Sequence, residues 1–280
     1  MNRYRYIEEG IWNGEKASHL HLLDNKPLIG TTTAGKVISK EGLTWWASGC
    51  SVKTLGWIDP KIKKNGVQVG TVPIKDRVEA ARLMQEIIKT LTPREYLQLL
   101  DNAYKAHSVK LDSSASDGTN LHALAEDWIN SYMQGNDYEP ETDCNESIKK
   151  FAEWARKNVK KFLFSERYVY SERLWTGGII DCLLIDNEDR VCLLDFKSAS
   201  AIYPSQKIQT AGYSIQLEEN GAFDENGNLI LEPIKVDYYA IWSFGMDMVE
   251  PVKEFRCGKL KEAFEHEVAL YKVIHVDFKE

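Results

Sequence analysis

Two carboxylates and a lysine lie on two short apolar runs that predict neighbouring β-strands. The run 178–185 contains Asp181, and the run 191–197 contains Asp195 and Lys197. The residues between the runs favour tight turns, so the pattern predicts a β-hairpin. A hairpin would bring Asp181 and Asp195 side by side, with Lys197 on the same face as Asp195, because strand side chains alternate. Such a group could hold Mg²⁺ or Mn²⁺ against a phosphate and orient an attacking water.

The Asp-x-Lys pattern alone carries little information, because it occurs four times in the chain. The other three copies begin at Asp24, Asp59 and Asp277. The first lies in a polar loop, the second contains a proline that disfavours a central strand, and the third lies at the chain end. A solvated surface hairpin is the alternative at Asp195. The apolar residues that flank both Asp181 and Asp195 favour a functional site instead, because buried carboxylates are rare.

Composition bounds the class of protein. The 280 residues are 43% hydrophobic, with a net charge of −7 and a pI near 5.5. We expect a single domain over residues 1–280, with a mostly helical region 1–112 and a catalytic core 113–280. Five cysteines without a C-x-x-C pair indicate a reducing, cytoplasmic setting. Neither a secretion signal nor a membrane span is expected.

The apolar spacing predicts several helices before the hairpin. Residues 43–55 read as a helix, and 74–107 as a helical pair whose second helix begins at Thr92-Pro93. The small residues of 113–120 predict a break, after which a new helix would begin with His122 in its first turn. The adjacent tryptophans Trp45 and Trp46 favour packing over base stacking.

A basic stretch follows an acidic loop over 135–145. Apolar residues over 148–162 predict one helical face, with lysines and an arginine on the opposite side. Lys157 and Lys160 belong to this basic side. They could bind a phosphate backbone, or the face could simply be solvated.

The remaining pattern predicts a strand at 167–172, a helix at 204–219, a strand at 236–244 and a closing helix at 260–273. Together with the hairpin, these elements indicate an α/β body that carries a helical N-terminal region.

Five short motifs occur in a fixed order that resembles the RecB-type branch of the PD-(D/E)XK nuclease superfamily. The order is similar to that of phage and prophage exonucleases, and the resemblance covers roughly residues 28–245. Upstream, Leu43-x-x-Trp46 also resembles N-terminal segments of such phage members. The motifs are Gly118-Thr119-x-x-His122, Glu166, Gly178-x-x-Asp181, Asp195-Phe196-Lys197 and Gln209-x-x-x-Tyr213.

The resemblance implies a restriction-endonuclease-like core of αβββαβ topology, in which helices flank a central mixed sheet. It also implies a role for each motif residue. The implied metal ligands are His122, Asp181, Asp195 and the backbone carbonyl of Phe196. Lys197 would be the catalytic lysine, and Glu166 would support a second metal or its waters, with Glu172 as its rival. Gln209 and Tyr213 would face the DNA or the site, although Tyr213 could also be a core residue. Apart from the resemblance, Glu126 lies one helical turn beyond His122 and could either orient its imidazole or be a solvated helix residue.

The implied activity is Mg²⁺- or Mn²⁺-dependent hydrolysis of DNA with one or two ions. An exonuclease acting on DNA ends in phage recombination or replication is the preferred form. A structure-specific endonuclease and a catalytically silent DNA-binding module remain alternatives. Some members of the family hold an iron–sulfur cluster on four cysteines, three of which follow the motifs. Only Cys257 lies downstream of the motifs here, so no such cluster is expected. The sequence also contains no phosphate-binding loop of an ATPase. DNA is the expected partner. A recombination or single-strand-binding protein, a homo-oligomer and the cytoplasm of a bacterial host fit the same resemblance.

Overall fold

The structure, a computed structural model, describes residues 2–12, 15–38, 43–64, 67–136, 146–199, 201–252 and 257–277. Most of the predicted acidic loop, residues 137–145, lies outside the described residues. The strands are β1 (Tyr4–Trp12), β2 (Glu15–Leu23), β3 (Lys26–Pro27), β4 (Ile29–Gly30), β5 (Lys61–Lys64), β6 (Val67–Thr71), β7 (Val159–Ser171), β8 (Thr176–Asp186), β9 (Val191–Lys197), β10 (Ala222–Phe223), β11 (Leu229–Leu231), β12 (Tyr238–Ser243) and β13 (Met248–Val252). The helices are α1 (Thr31–Ala34), α2 (Leu43–Thr54), α3 (Ile74–Thr90), α4 (Pro93–Met133), α5 (Glu146–Asn158), α6 (Pro204–Asn220) and α7 (Cys257–Lys272).

The chain divides into two compact units. The single domain expected from the sequence stays a prediction. One unit, called the sheet unit below, comprises residues 1–38 and 121–280. The other, called the helical unit, comprises residues 39–120. Helix α4 contributes its first part to the helical unit and its last part to the sheet unit.

A mixed sheet forms the centre of the sheet unit. Its strand order is β11-β10-β7-β8-β9-β12-β13, and β4 adds to β8 in parallel. Strands β7, β8 and β9 are antiparallel neighbours, whereas β12 runs parallel to β9. A parallel neighbour requires a crossover connection, and α6 lies in that connection. The predicted α/β class with a mixed sheet flanked by helices is therefore confirmed.

Alternation along β9 divides its side chains between two hydrophobic cores. Cys192, Leu194 and Phe196 join a core with residues of α4 and α5. Leu193 joins a second core with residues of α6, on the other face of the strand. Asp195 is two residues after Leu193 and therefore lies on the same face of the strand, the face towards α6.

The N-terminal segment of the sheet unit is a β-hairpin rather than part of a helical region. Strand β1 pairs with β2 from Tyr4↔Leu23 to Trp12↔Glu15. The prediction of a mostly helical region 1–112 is therefore wrong for its first 30 residues. Alternating aromatic and β-branched residues such as Tyr4, Tyr6 and Ile7 favour strands, and they carried more weight than the surrounding turn residues.

The helical unit contains α2, α3, the first part of α4 and the two-stranded sheet β5–β6. The predicted helix 43–55 and the helix start at Thr92 are confirmed, and Thr92 and Glu95 form a reciprocal cap. Trp45 is 84% exposed, so the packing role favoured for it is wrong. Among the described helices, none is both long and apolar enough to cross a membrane.

Two predicted helix boundaries are wrong. Helix α4 continues through residues 113–120, so His122 lies deep inside it and not in a first turn. The segment contains one glycine and no proline. Glycine and small polar residues lower the stability of a helix but do not prevent it. Helix α5 ends at Asn158, and Val159 begins β7. Val159 continues the apolar spacing of the helix and therefore concealed the change of period.

Candidate metal centre

Asp181 lies where the backbone ladder between β8 and β9 ends. The antiparallel register runs from Ile185↔Val191 to Cys182↔Leu194. One residue further, Oδ2 of Asp181 accepts a hydrogen bond of 2.6 Å from the backbone N–H of Phe196. The carboxylate of Asp181 thus replaces a backbone carbonyl as the hydrogen-bond acceptor for β9, which holds the side chain against that strand.

Asp195 and Lys197 form a buried ion pair on one face of β9, as the predicted hairpin requires. The Lys197 Nζ lies 2.6 Å from Oδ2 of Asp195, whose side chain is only 2% exposed. Burial raises the pKa of Asp195 to about 6, and Lys197 opposes that rise. Burial lowers the pKa of Lys197, but the charges of Asp195 and Asp181 outweigh it and hold the pKa above its ordinary value. The lysine therefore stays an ammonium group at neutral pH.

Three side chains that could hold a metal ion converge beside this pair. One donor atom each from His122, Glu166 and Asp181 lies within 4.8 Å of the other two. Nδ1 of His122 is 3.5 Å from Oδ1 of Asp181, and the imidazole packs edge-on against Phe196. Burial lowers the pKa of His122. The hydrogen bond and charge of Asp181 together have the larger, opposite effect, so the pKa lies above its ordinary value.

Glu166 occupies an unusual backbone conformation for a residue inside a strand. Its φ is +45°, in the left-handed region, between the β7–β8 pairs Ser165↔Cys182 and Arg167↔Ile180. Such strain in a non-glycine residue costs about 1–3 kcal/mol and is concentrated at functional sites. Burial, then the negative charges of Glu126 and Asp181, raise the pKa of Glu166 to about 7. A strained, electrostatically unfavourable carboxylate at this position is consistent with a cation ligand.

The geometry separates Glu166 from its rival Glu172. Glu172 forms an ion pair of 2.9 Å with Arg3, and its side chain is 47% exposed. Glu166 instead belongs to the cluster with His122 and Asp181. The expected contact of Glu126 with the imidazole of His122 stays a prediction, although Glu126 acts on Glu166 through its charge.

Gln209 and Tyr213 lie on one face of α6, as their spacing predicts. Nε2 of Gln209 donates to the Tyr213 hydroxyl at 2.7 Å and to Oγ1 of Thr32 at 2.8 Å. Burial, then the charge of Asp195, raise the pKa of Tyr213 to about 12, so the phenol remains protonated. Sequence reasoning missed Thr32 as a residue of this site. The run of three threonines was visible, but its position against α6 depends on the pairing of β4 with β8.

Gly178 explains the glycine in the Gly178-x-x-Asp181 motif. A Cβ at this position would lie 2.5 Å from Cε1 of Tyr213 and 2.6 Å from Oγ1 of Thr31. The strand can therefore approach α6 and α1 this closely only where a side chain is missing.

The basic residues predicted to contact DNA do not form one helical face. Lys157 is exposed on α5, whereas Lys160 lies on β7 and forms an ion pair with Asp189 of the β8–β9 turn. Lys150 is also paired, with Asp247 at 2.8 Å. The predicted helical surface is therefore wrong in its geometry, and DNA contact through Lys157 and Lys160 stays a prediction.

The other Asp-x-Lys copies have local structural roles where they are described. Asp24 forms an ion pair with Arg3 at 2.7 Å, and Asp59 accepts a hydrogen bond from the backbone N–H of Lys61. The third copy, Asp277-Phe278-Lys279, lies outside the described side chains.

The donor set fits a hard divalent cation. Two carboxylates and an imidazole stand together, with Asp195 and Glu126 close enough to affect the pKa values of the site. Carboxylate oxygens are the protein ligands that Mg²⁺ and Mn²⁺ prefer, and a cation would offset the repulsion that raises the pKa of Glu166. Asp195 lies outside the three-donor cluster, and its Oδ2 faces Lys197. The ligand role of Asp195 and that of the Phe196 carbonyl stay predictions.

No model of a known protein family and no curated protein matches this chain.

Proposed function

We propose that this chain is a divalent-metal-dependent deoxyribonuclease with a PD-(D/E)XK core. The observation that carries the proposal is the convergence of His122, Glu166 and Asp181 beside the buried pair of Asp195 and Lys197. Metal ligands next to a protonated lysine are the groups that phosphodiester hydrolysis needs.

The order of elements supports the same proposal. Apart from the short strands β10 and β11, which lie between α6 and β12, the elements from α5 to β12 follow the αβββαβ order implied by the sequence resemblance. The candidate site lies on its three consecutive strands, with Glu166 on β7, Asp181 on β8 and Asp195 on β9. A fold by itself does not define a function, so the side chains carry more weight than the topology.

The residues divide the work between holding the cation and positioning the reactants. His122, Glu166 and Asp181 would hold the ion, and Asp195 would complete its surroundings. When bound, the cation would polarise a phosphate oxygen and lower the pKa of a water molecule. Lys197 keeps its proton because of Asp195 and Asp181, so it can donate a hydrogen bond to the attacking water or to the phosphate. Tyr213 and Gln209 fix the α6 side of the site through their mutual hydrogen bond.

The preferred specialisation, an exonuclease that acts on DNA ends in phage recombination or replication, comes from the sequence resemblance. Incubation of the protein with linear and closed circular DNA in Mg²⁺ or Mn²⁺ tests both the activity and the specialisation. We expect degradation of linear DNA only, and loss of activity in Asp195→Ala and Lys197→Ala. Cutting of closed circles would favour an endonuclease. Inactivity of the wild type on every DNA form would refute the proposed enzyme and favour a silent DNA-binding module.

A further inference from the structure

The helical unit contains a basic β-ribbon that the proposed active site does not use. Strands β5 and β6 form a separate two-stranded sheet with the register Lys61↔Thr71, Ile62↔Gly70, Lys63↔Gln68 and Lys64↔Val67. Residues 60–75 contain four lysines and no acidic residue. Acidic residues outnumber basic ones in the whole chain, 42 to 35, but basic ones predominate over residues 39–120. The ribbon is thus positively charged in a chain whose net charge is negative.

One face of the ribbon presents two lysines and two neutral polar side chains. Lys61 and Lys63 are two residues apart on β5 and therefore share a face. Thr71 and Gln68 lie directly opposite them on β6, so their side chains point to the same face. All four side chains are exposed. The register shifts between Ile62 and Lys63, and this irregularity keeps Gln68 and Thr71 on one face although they are three residues apart.

The nearest carboxylate in sequence forms a backbone hydrogen bond and, among the described contacts, no ion pair with the ribbon lysines. Asp59 precedes β5, and its Oδ1 accepts a hydrogen bond of 2.9 Å from the backbone N–H of Lys61. Within the described part of the ribbon, neither Lys61 nor Lys63 forms an ion pair. Two ammonium groups are therefore available to an anionic partner.

We propose that this ribbon face, defined by Lys61, Lys63, Gln68 and Thr71, binds the phosphate backbone of duplex DNA. The inference rests on the proposed function, because it supplies that enzyme with a substrate contact outside the metal centre. Lysines two residues apart on a strand are separated by about 6.6 Å along the strand. Phosphates of one DNA strand follow each other every 3.4 Å or so of axial rise, so the two lysines can reach two phosphates. Gln68 and Thr71 add neutral contacts that fix the register without reading the bases.

Charge also argues for this location. The sheet unit carries the acidic excess of the chain and groups several carboxylates at its candidate centre, which repels DNA when no cation is bound. A basic contact on the helical unit would offset that repulsion. The alternative role for lysines on an exposed ribbon is to prevent its edges from pairing with other strands.

The test compares two variants with the same loss of charge. Lys61→Gln/Lys63→Gln removes the ribbon charges, and Lys105→Gln/Lys110→Gln removes two exposed charges of α4 in the same unit. The affinity of each full-length protein for a short fluorescent duplex is measured in EDTA across a salt series. Because each phosphate contact contributes about 0.9 to the slope of log affinity against log salt, the ribbon variant should lose about 1.8 of slope. Its deficit relative to wild type should therefore be about 12-fold larger at 50 mM than at 200 mM salt.

An unchanged slope in the ribbon variant overturns the inference and assigns its lysines to edge protection. An equal loss in the α4 variant overturns it as well, because the effect would then be non-specific, and so does a wild type that does not bind the duplex. Cleavage in Mg²⁺ or Mn²⁺, measured on the same samples, keeps the two proposals apart. Cleavage by wild type with unchanged binding by the ribbon variant rejects the ribbon alone. A lost slope without wild-type cleavage rejects the nuclease alone.

Discussion

Removal of the Lys197 charge should destabilise the metal-free protein strongly at high pH and weakly at low pH. In Lys197→Met, a side chain of similar length replaces the lysine but leaves the Asp195 carboxylate without its counter-charge. Asp195 is 1% exposed, so water cannot compensate for the loss. The effect should therefore depend on whether Asp195 is ionised.

The structure sets the magnitude. Charges 2.6 Å apart attract with about 6 kcal/mol at an effective dielectric constant of about 20, and desolvation offsets part of this attraction. Removing one partner of a buried pair therefore costs about 3–5 kcal/mol when the other stays charged. Burial already raises the pKa of Asp195 to about 6, and loss of Lys197 raises it further. The folded state then binds the proton more tightly than the unfolded state, so stability is lost as pH rises through the folded pKa and is retained at low pH.

Urea denaturation in EDTA at about pH 5 and about pH 8 measures the effect. The double variant Asp195→Asn/Lys197→Met should recover most of the loss at the higher pH, because it removes the uncompensated charge. Lys160→Met is a suitable control, since Lys160 and Asp189 form an exposed ion pair whose loss should cost less than about 1 kcal/mol. Equal destabilisation by Lys197→Met at both pH values, or a double variant as unstable as the sum of the singles, would refute the reasoning.

Three further variants test other parts of the structure by urea denaturation. Gly178→Ala should destabilise the protein by about 1–3 kcal/mol, because the added Cβ would lie 2.5 Å from Tyr213. His21 is buried, accepts or donates a hydrogen bond of 2.6 Å with Tyr4, and has its pKa lowered to about 4 by burial. The unfolded state therefore binds its proton first, and wild type should lose about 3 kcal/mol as pH falls from about 6.5 to 4, a loss that His21→Gln should lack. Burial raises the pKa of Glu267 to about 7. Stability is then lost as pH rises from about 4.5 to 7, so Glu267→Gln should stabilise the protein by about 1–3 kcal/mol at pH 8 and not at pH 4.

Each of these variants has a matched control at an open position. Gly49→Ala adds a Cβ with no atom within 4 Å and should not destabilise the protein. His266→Gln and Glu262→Gln remove exposed side chains of α7 and are the controls for His21→Gln and Glu267→Gln. A tolerated Gly178→Ala would contradict the close packing against Tyr213. An unaltered pH profile in His21→Gln or Glu267→Gln would contradict the assigned effect of burial at that residue.

The central hairpin could be predicted because its apolar residues indicate two strands and the turn between them sets how the strands pair. The apolar runs of β8 and β9 flank a turn, and a one-residue slip would move every side chain to the other face. The same logic placed Asp195 and Lys197 together. The spacing of Gln209 and Tyr213 likewise predicted that they share one face of α6, and their side chains are hydrogen-bonded to each other.

Other features depend on tertiary contacts that no local pattern encodes. Glu166 has a left-handed backbone conformation inside β7, and no residue pattern along the strand indicates it. Helix α4 crosses a segment rich in small residues because helix propensity is a weak preference that context overrides. The position of Thr32 beside Gln209 follows from a two-residue strand, β4, which is too short to give a periodic signal.

Titration of Mn²⁺ into wild type, Glu166→Gln and Glu172→Gln by calorimetry tests whether His122, Glu166 and Asp181 form a metal centre. Glu166 lies among the clustered donors, whereas Glu172 pairs with Arg3, so the two variants make the same chemical change at different places. We expect wild type and Glu172→Gln to bind Mn²⁺ equally and Glu166→Gln to bind it at least about 10-fold more weakly. Equal binding by all three proteins, or no binding by wild type, would contradict a metal centre built from His122, Glu166 and Asp181.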